Sequence, residues 1–193
     1  MASFSRHAHA RRVVRLVHRD GVDSRSAIAE ATGMSSSLVS RVTGELLRQG
    51  LLEARSEAGD RPGRPVERLS LNPGAGHVVG AEVARDGLRF VRTDARGAVS
   101  ASWRHDHRDG TVSATTIEDL ADRVRRSDAK ARGTPLLAVG VALPEVVTAG
   151  GGWRRTDGRG DLVPAAELLS TALGVPIVVE DVSRAFADAE HRF

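Results

Sequence analysis

Cysteine is absent from the 193 residues. Disulfides, thiolate metal sites and thiol catalysis are excluded with it, and such residue usage suits a cytoplasmic setting. Aromatic residues amount to 3%, so aliphatic side chains must build the cores. No apolar run approaches the roughly 18 residues needed to span a bilayer, and no membrane partner is expected. Residues 1–20 are rich in Arg and His without a continuous apolar segment, which is not the pattern of a signal peptide. Lysine is confined to Lys130, so arginine supplies nearly all the positive charge.

What remains is an ordinary globular composition, 40% apolar and 27% charged, and a length suited to one large domain or two small ones. The net charge of +3 is unevenly placed. Residues 1–75 carry 12 Arg against 8 Asp and Glu, while residues 76–193 carry 16 bases against 17 acids. The positive excess sits where a phosphate-binding module would need it.

Residues 8–18 place Ala10, Val13, Val14 and Val17 at helical spacing, with Arg11, Arg12 and Arg15 between them. Asp23 or Ser24 can cap a short second helix over 26–31, with Ala27 and Ile28 inward. Gly33 supplies a tight turn. Ser35 can cap a third helix running to about Gln49, with Leu38, Val42, Leu46 and Leu47 as its buried stripe. A helix, a turn with glycine and a second helix make a helix-turn-helix, whose second helix enters the major groove by its first turns. Those turns carry Ser35, Ser36, Ser37, Ser40 and Arg41. They are hydroxyls and a guanidinium, able to bond phosphates or base edges. Ser35 is read mainly as a cap, and Ser37, Ser40 and Arg41 as the better contacts.

Leu51–Arg55 and Val66–Leu71 read as two strands joined by a polar loop with Pro62 and Pro65, which is the wing of a winged helix. Arg61 and Arg64, held beside prolines, are candidates for the narrow minor groove. After the Pro/Gly link at 72–76, His77–Val83, Leu88–Asp94 and Ala98–Trp103 form a three-strand antiparallel meander with turns at Asp86-Gly87 and Arg96-Gly97. A helix at 113–132, a buried strand at 136–143, a helix at 165–173, a strand at 176–180 and a final helix at 182–191 follow. The expected fold is therefore α+β in two domains. Residues 1–73 form a winged helix-turn-helix and residues 74–193 a single actin- and hexokinase-like (ribonuclease H-like) α/β lobe.

The segments GDRPGRPVERLSLNPGAGHVVGAEV, LLAVGVALPEVV and GVPIVVEDVSRAFADAE resemble those of ROK-family regulators, the repressors and sugar kinases that share this lobe. The resemblance implies double-stranded DNA as a partner, a sugar or sugar-phosphate effector, and a homodimer. It also brings departures. The kinases of the family carry an Asp-x-Gly-Gly-Thr turn that cradles phosphate. Here the matching stretch is Glu82-Val83-Ala84-Arg85-Asp86, without glycines and with an acid that repels phosphate. The kinases' catalytic Glu-Asn-Asp motif corresponds to Glu180-Asp181-Val182, which leaves Glu180 and Asp181 as weak ligand-binding candidates. The family's zinc site has no counterpart. The resemblance also stops at Phe193, after the first of two lobes, as a truncated gene or a fragment would. No catalysis, cofactor or metal is expected on this reading. The competing readings are a sugar kinase-like protein and a non-functional fragment of such a regulator.

Three smaller signals are set aside. His105 and His107 share a strand face but lack the further ligands a metal needs. His7 and His9 fall on different faces of a helix. The glycine-rich stretches at 150–153 and 157–161 lack the order of a phosphate loop and read as a mobile loop.

Overall fold

The computed structural model describes the backbone of residues 2–57, 66–84, 86–106, 114–131, 133–144, 146–154 and 162–190. Two compact units divide the chain, Met1–Ala75 and Gly76–Phe193.

In the first unit, α1 (Ala2–Arg19), α2 (Arg25–Thr32) and α3 (Ser36–Arg48) precede a two-stranded antiparallel ribbon, β1 (Leu52–Glu57) and β2 (Val66–Leu71). Helix α1 begins six residues before the expected start, because Ala2–Ala10 contains no helix breaker. Ser24 caps α2 by accepting the Ala27 amide at 3.2 Å. Gly33 ends that helix at φ 68°, a conformation that costs glycine nothing. The core joins Val13, Ile28, Val39, Val42 and Leu46 of the helices to Leu52, Leu69 and Leu71 of the ribbon. The stripe of α3 is therefore turned from the expected one. Val39 and Thr43 are buried, whereas Leu38 and Leu47 lie half-buried at its margins. Burying Thr43 is possible because its hydroxyl donates to the Val39 carbonyl at 2.9 Å.

The second unit is built on a five-stranded sheet in the order β5-β4-β3-β6-β9. Strands β3 (His77–Ala84), β4 (Gly87–Asp94) and β5 (Val99–Asp106) form the antiparallel meander, and β6 (Leu136–Leu143) and β9 (Ile177–Asp181) run parallel to β3. Helices α4 (Ala114–Asp128) and α5 (Ala165–Leu173) pack together. Their Ile117, Leu120, Ala121, Val124, Ala165 and Leu169 share one core with Val79, Val83, Phe90, Val139, Val141 and Val179 of the sheet. Among the described residues α6 (Val182–Glu190) lies against β6 and β9 on the other face, and it buries none of its residues fully.

A short hairpin, β7 (Val146–Val147) with β8 (Trp153–Arg154), corrects the expectation of a mobile loop at 150–153. Gly151 has φ 71°, and a Cβ there would stand 2.6 Å from that of Ala166. The glycines thus serve a tight return against α5 that seats Trp153 in the core at 3% exposure. The stretch at 157–161 lies outside the described residues.

His77 opens β3 and is buried. Its Nδ1 lies 3.3 Å from the Thr134 hydroxyl, and its Nε2 lies 3.4 Å from Asp128 of α4 without a hydrogen bond. Burial pushes the imidazole below its ordinary value and outweighs the pull of Asp128, while Arg92 of β4 pushes the same way as burial. The unfolded chain then binds the proton more readily than the folded one. Stability from this group is complete above the free-imidazole range near 6.5 and is lost as pH falls below it. Thermal unfolding of the second unit should therefore shift down between pH 7.5 and 5.5. A His77→Gln chain should show a smaller shift, and equal shifts would refute the assignment.

Candidate nucleic-acid interface

Helix α3 presents two sides with different chemistry. Its buried side is the stripe from Val39 to Leu46, and Ser36, Ser37, Ser40 and Arg41 lie exposed on the other. Ser35 caps the helix by accepting the Leu38 amide at 3.3 Å, and its hydroxyl touches that of Ser37 at 3.1 Å. Ser35 and Ser37 are thus tied to each other at the helix start, beside free amides that favour an anion. Arg41 has no carboxylate partner among the described residues. The structure therefore places five of the expected site residues on one exposed helix end. Arg61 and Arg64 lie outside the described residues.

Sequence reasoning missed the residue that fixes this surface. Arg25, at the start of α2, donates from Nε to the Thr43 hydroxyl at 3.0 Å and pairs with Glu67 of β2. It links both helices of the pair to the wing strand. Beside it, Arg68 of β2 pairs with Asp23 at 2.8 Å, and the Leu69 amide bonds the Asp23 carbonyl. The signal available in the sequence was weak, since the partners lie 18 and 42 residues away.

In the second unit a cavity of about 670 Å³ opens on the sheet face beside α6. Gly80, Gly140 and Ala142 form its floor, with Glu82 and Glu180 near the carboxyl ends of β3 and β9 and Arg89 near the amino end of β4. Glu180 pairs with Arg184 at 3.2 Å. Asp181 accepts the Arg184 amide at 2.8 Å and so caps α6. Of the two acids singled out in the sequence, Glu180 lines the cavity and Asp181 ends the strand as a helix cap.

The charge expected to repel phosphate at Asp86 is met by Arg104 at 2.9 Å and Arg89 at 3.4 Å. Desolvation raises this carboxyl, but its own backbone and the two guanidiniums together hold it below the usual range. An ion-pair cluster with Glu82 thus occupies the β3–β4 turn.

The MarR family model matches residues 8–61, the span of the three helices and the first wing strand. Over longer stretches the chain is similar to two xylose repressors. It is 23% identical to that of Bacillus spizizenii over 180 residues, covering 88% of this chain and 45% of that one. It is 20% identical to that of Caldicellulosiruptor bescii over 192 residues, covering 94% and 46%. The chain therefore spans about half the length of these relatives. Among solved structures, a ROK family transcriptional regulator, homologue of the E. coli MLC protein, superposes over 95% of this chain and 48% of its own. Its TM-score is 0.77 at 19% identity. A ROK hexokinase from Thermus thermophilus superposes on 60% of this chain and 38% of its own, with a TM-score of 0.50 at 23% identity.

The fold is thus a MarR-type winged helix-turn-helix followed by a ROK-type α/β lobe. In that order of units the chain resembles the ROK family transcriptional regulator on which it superposes.

Proposed function

We propose that the chain is a sequence-specific DNA-binding transcriptional repressor without catalytic activity. The observation that carries this is the exposed end of α3, where Ser36, Ser37, Ser40 and an unpaired Arg41 stand clear of the core while Arg25 locks α2, α3 and the wing together. Such a surface can enter a major groove. The paired acids and bases at the β3–β4 turn favour a regulator over a kinase, because Arg89 and Arg104 are committed to Glu82 and Asp86 and not free to meet phosphate.

Two copies would read an inverted repeat, since paired recognition helices match two half-sites. The relatives named xylose repressors support a sugar as effector class. The cavity beside α6 supplies carboxylates of the kind that bind hydroxyls, Glu82 and Glu180 among them. On this reading the wing arginines Arg61 and Arg64 grip the flanking minor groove.

Selection from a random duplex pool tests the proposal. An enriched inverted repeat is expected, and a folded protein that enriches nothing would refute it. On the selected site Arg41→Ala should cost about 1–3 kcal/mol of specific affinity. An equal loss on scrambled duplex would move Arg41 to phosphate, and no loss would move it off the interface. Repeating the titration with xylose tests the effector class, with weakened binding expected.

A further inference from the structure

Helix α1 carries a feature that the helix-turn-helix reading does not use. From Ala2 to Arg19 it contains five arginines and no acid, the first carboxylate being Asp20. Arg11, Arg15 and Arg19 recur every fourth residue and are exposed, with His18 beside them. They stand opposite the side that buries Val13. Like charges at this spacing destabilise a helix. A solvated helix face normally avoids that by alternating its signs.

Four other arginines of the first unit are paired: Arg25 with Glu67, Arg48 with Glu45, Arg55 with Glu53 and Arg68 with Asp23. Among the described residues Arg11, Arg15 and Arg19 share with Arg41 the lack of any carboxylate partner.

We propose that the Arg11–Arg15–Arg19 stripe of α1 is a second phosphate-gripping surface, which holds the duplex backbone beside the segment met by α3. The proposal rests on the DNA-binding reading above. Its placement follows from Arg12, whose guanidinium reaches the Ala31 carbonyl at 3.5 Å. That contact sets α1 beside the end of α2, immediately before the Gly33 turn that leads into Ser35. The stripe runs about 12 Å along the helix, eight residues at about 1.5 Å each. That length matches three to four nucleotides of one strand at about 3.4 Å apiece. Arginine suits the task, because its planar fork meets phosphate oxygens in pairs. A membrane surface fits less well, since no large apolar side chain among the described residues of α1, 8 to 19, is exposed.

The test is the salt dependence of binding to a 24-bp duplex of random sequence, by fluorescence anisotropy with the whole chain. Each phosphate contact contributes about 0.9 to the slope of log K against log salt. Arg11→Gln, Arg15→Gln and Arg19→Gln together should lower that slope by about 2 to 3, with unchanged circular dichroism. The corresponding triple Lys chain should keep the slope, which separates charge from any change in the helix. A triple Gln chain with the wild-type slope overturns the proposal. So does wild-type binding to phosphatidylserine vesicles that the triple change abolishes while DNA binding stays intact. Wild-type protein that binds no duplex at all instead overturns the DNA-binding reading itself.

Discussion

Trp153→Ala is expected to lower the stability of the second unit by about 3–5 kcal/mol, the range for emptying a large aromatic from a core. The side chain is 3% exposed and belongs to the cluster that joins α4, α5 and the sheet. Its backbone is fixed as well, by paired hydrogen bonds with Val163 at 2.8 and 2.9 Å. The melting midpoint should fall by more than about 10 °C. Fluorescence can follow this cleanly, because the other tryptophan, Trp103, lies in the same unit and stacks on Phe90 at 5.1 Å. Trp153→Phe should be much milder. It keeps most of the buried area and removes an indole N–H that has no partner among the described residues. If Trp153→Ala melted within about 1 kcal/mol of the parent, the hairpin would not be seated as described.

Leu46→Ala should abolish DNA binding at 37 °C without touching the proposed contact surface. Leu46 is 3% exposed at the centre of the first core, and its truncation costs about 2–5 kcal/mol. A unit of 75 residues has only about 4–11 kcal/mol in total, so a loss at the upper end leaves much of it unfolded. Leu47→Ala is the control, since Leu47 packs only partly against that core. It should cost less than half as much and leave binding measurable. Equal losses at the two positions would restore the stripe expected from the sequence. Tryptophan fluorescence should stay silent for both changes, because the first unit contains none. Far-UV circular dichroism and a duplex-binding titration supply the readouts.

Where each element lies was largely legible, because the signals are local. Ser24, Gly33 and Ser35 end or begin helices by their own chemistry. The apolar faces of β3 and α4 follow the periods of a strand and a helix. The failures came where local pattern and tertiary contact disagree. Leu38 and Leu47 outrank Thr43 in hydrophobicity, yet Thr43 is inside because its hydroxyl is satisfied by Val39 and Arg25. The glycines at 150–152 read as freedom, whereas α5 packs so close to Gly151 that a side chain has no room. Of the candidate site, the exposed end of α3 could be read from spacing. Arg25 could not, since its role depends on a strand that returns 42 residues later. The α1 stripe was visible as interleaved arginines, but its lack of acid partners belongs to the folded unit.

The topology of the second unit also sets an order in time. Strand β6 pairs with β3 across some 60 residues of chain, as His77 faces Leu136, and closing so long a loop is slow. The first unit is mostly helical, with contacts near in sequence, and should fold faster. It also leaves the ribosome first. At about 5–20 residues per second, the 118 residues from Gly76 to Phe193 follow over roughly 6–24 s. The helix-turn-helix therefore has seconds in which to complete itself before residues 76–193 have emerged, and the parallel strands of the second unit find their partners after it.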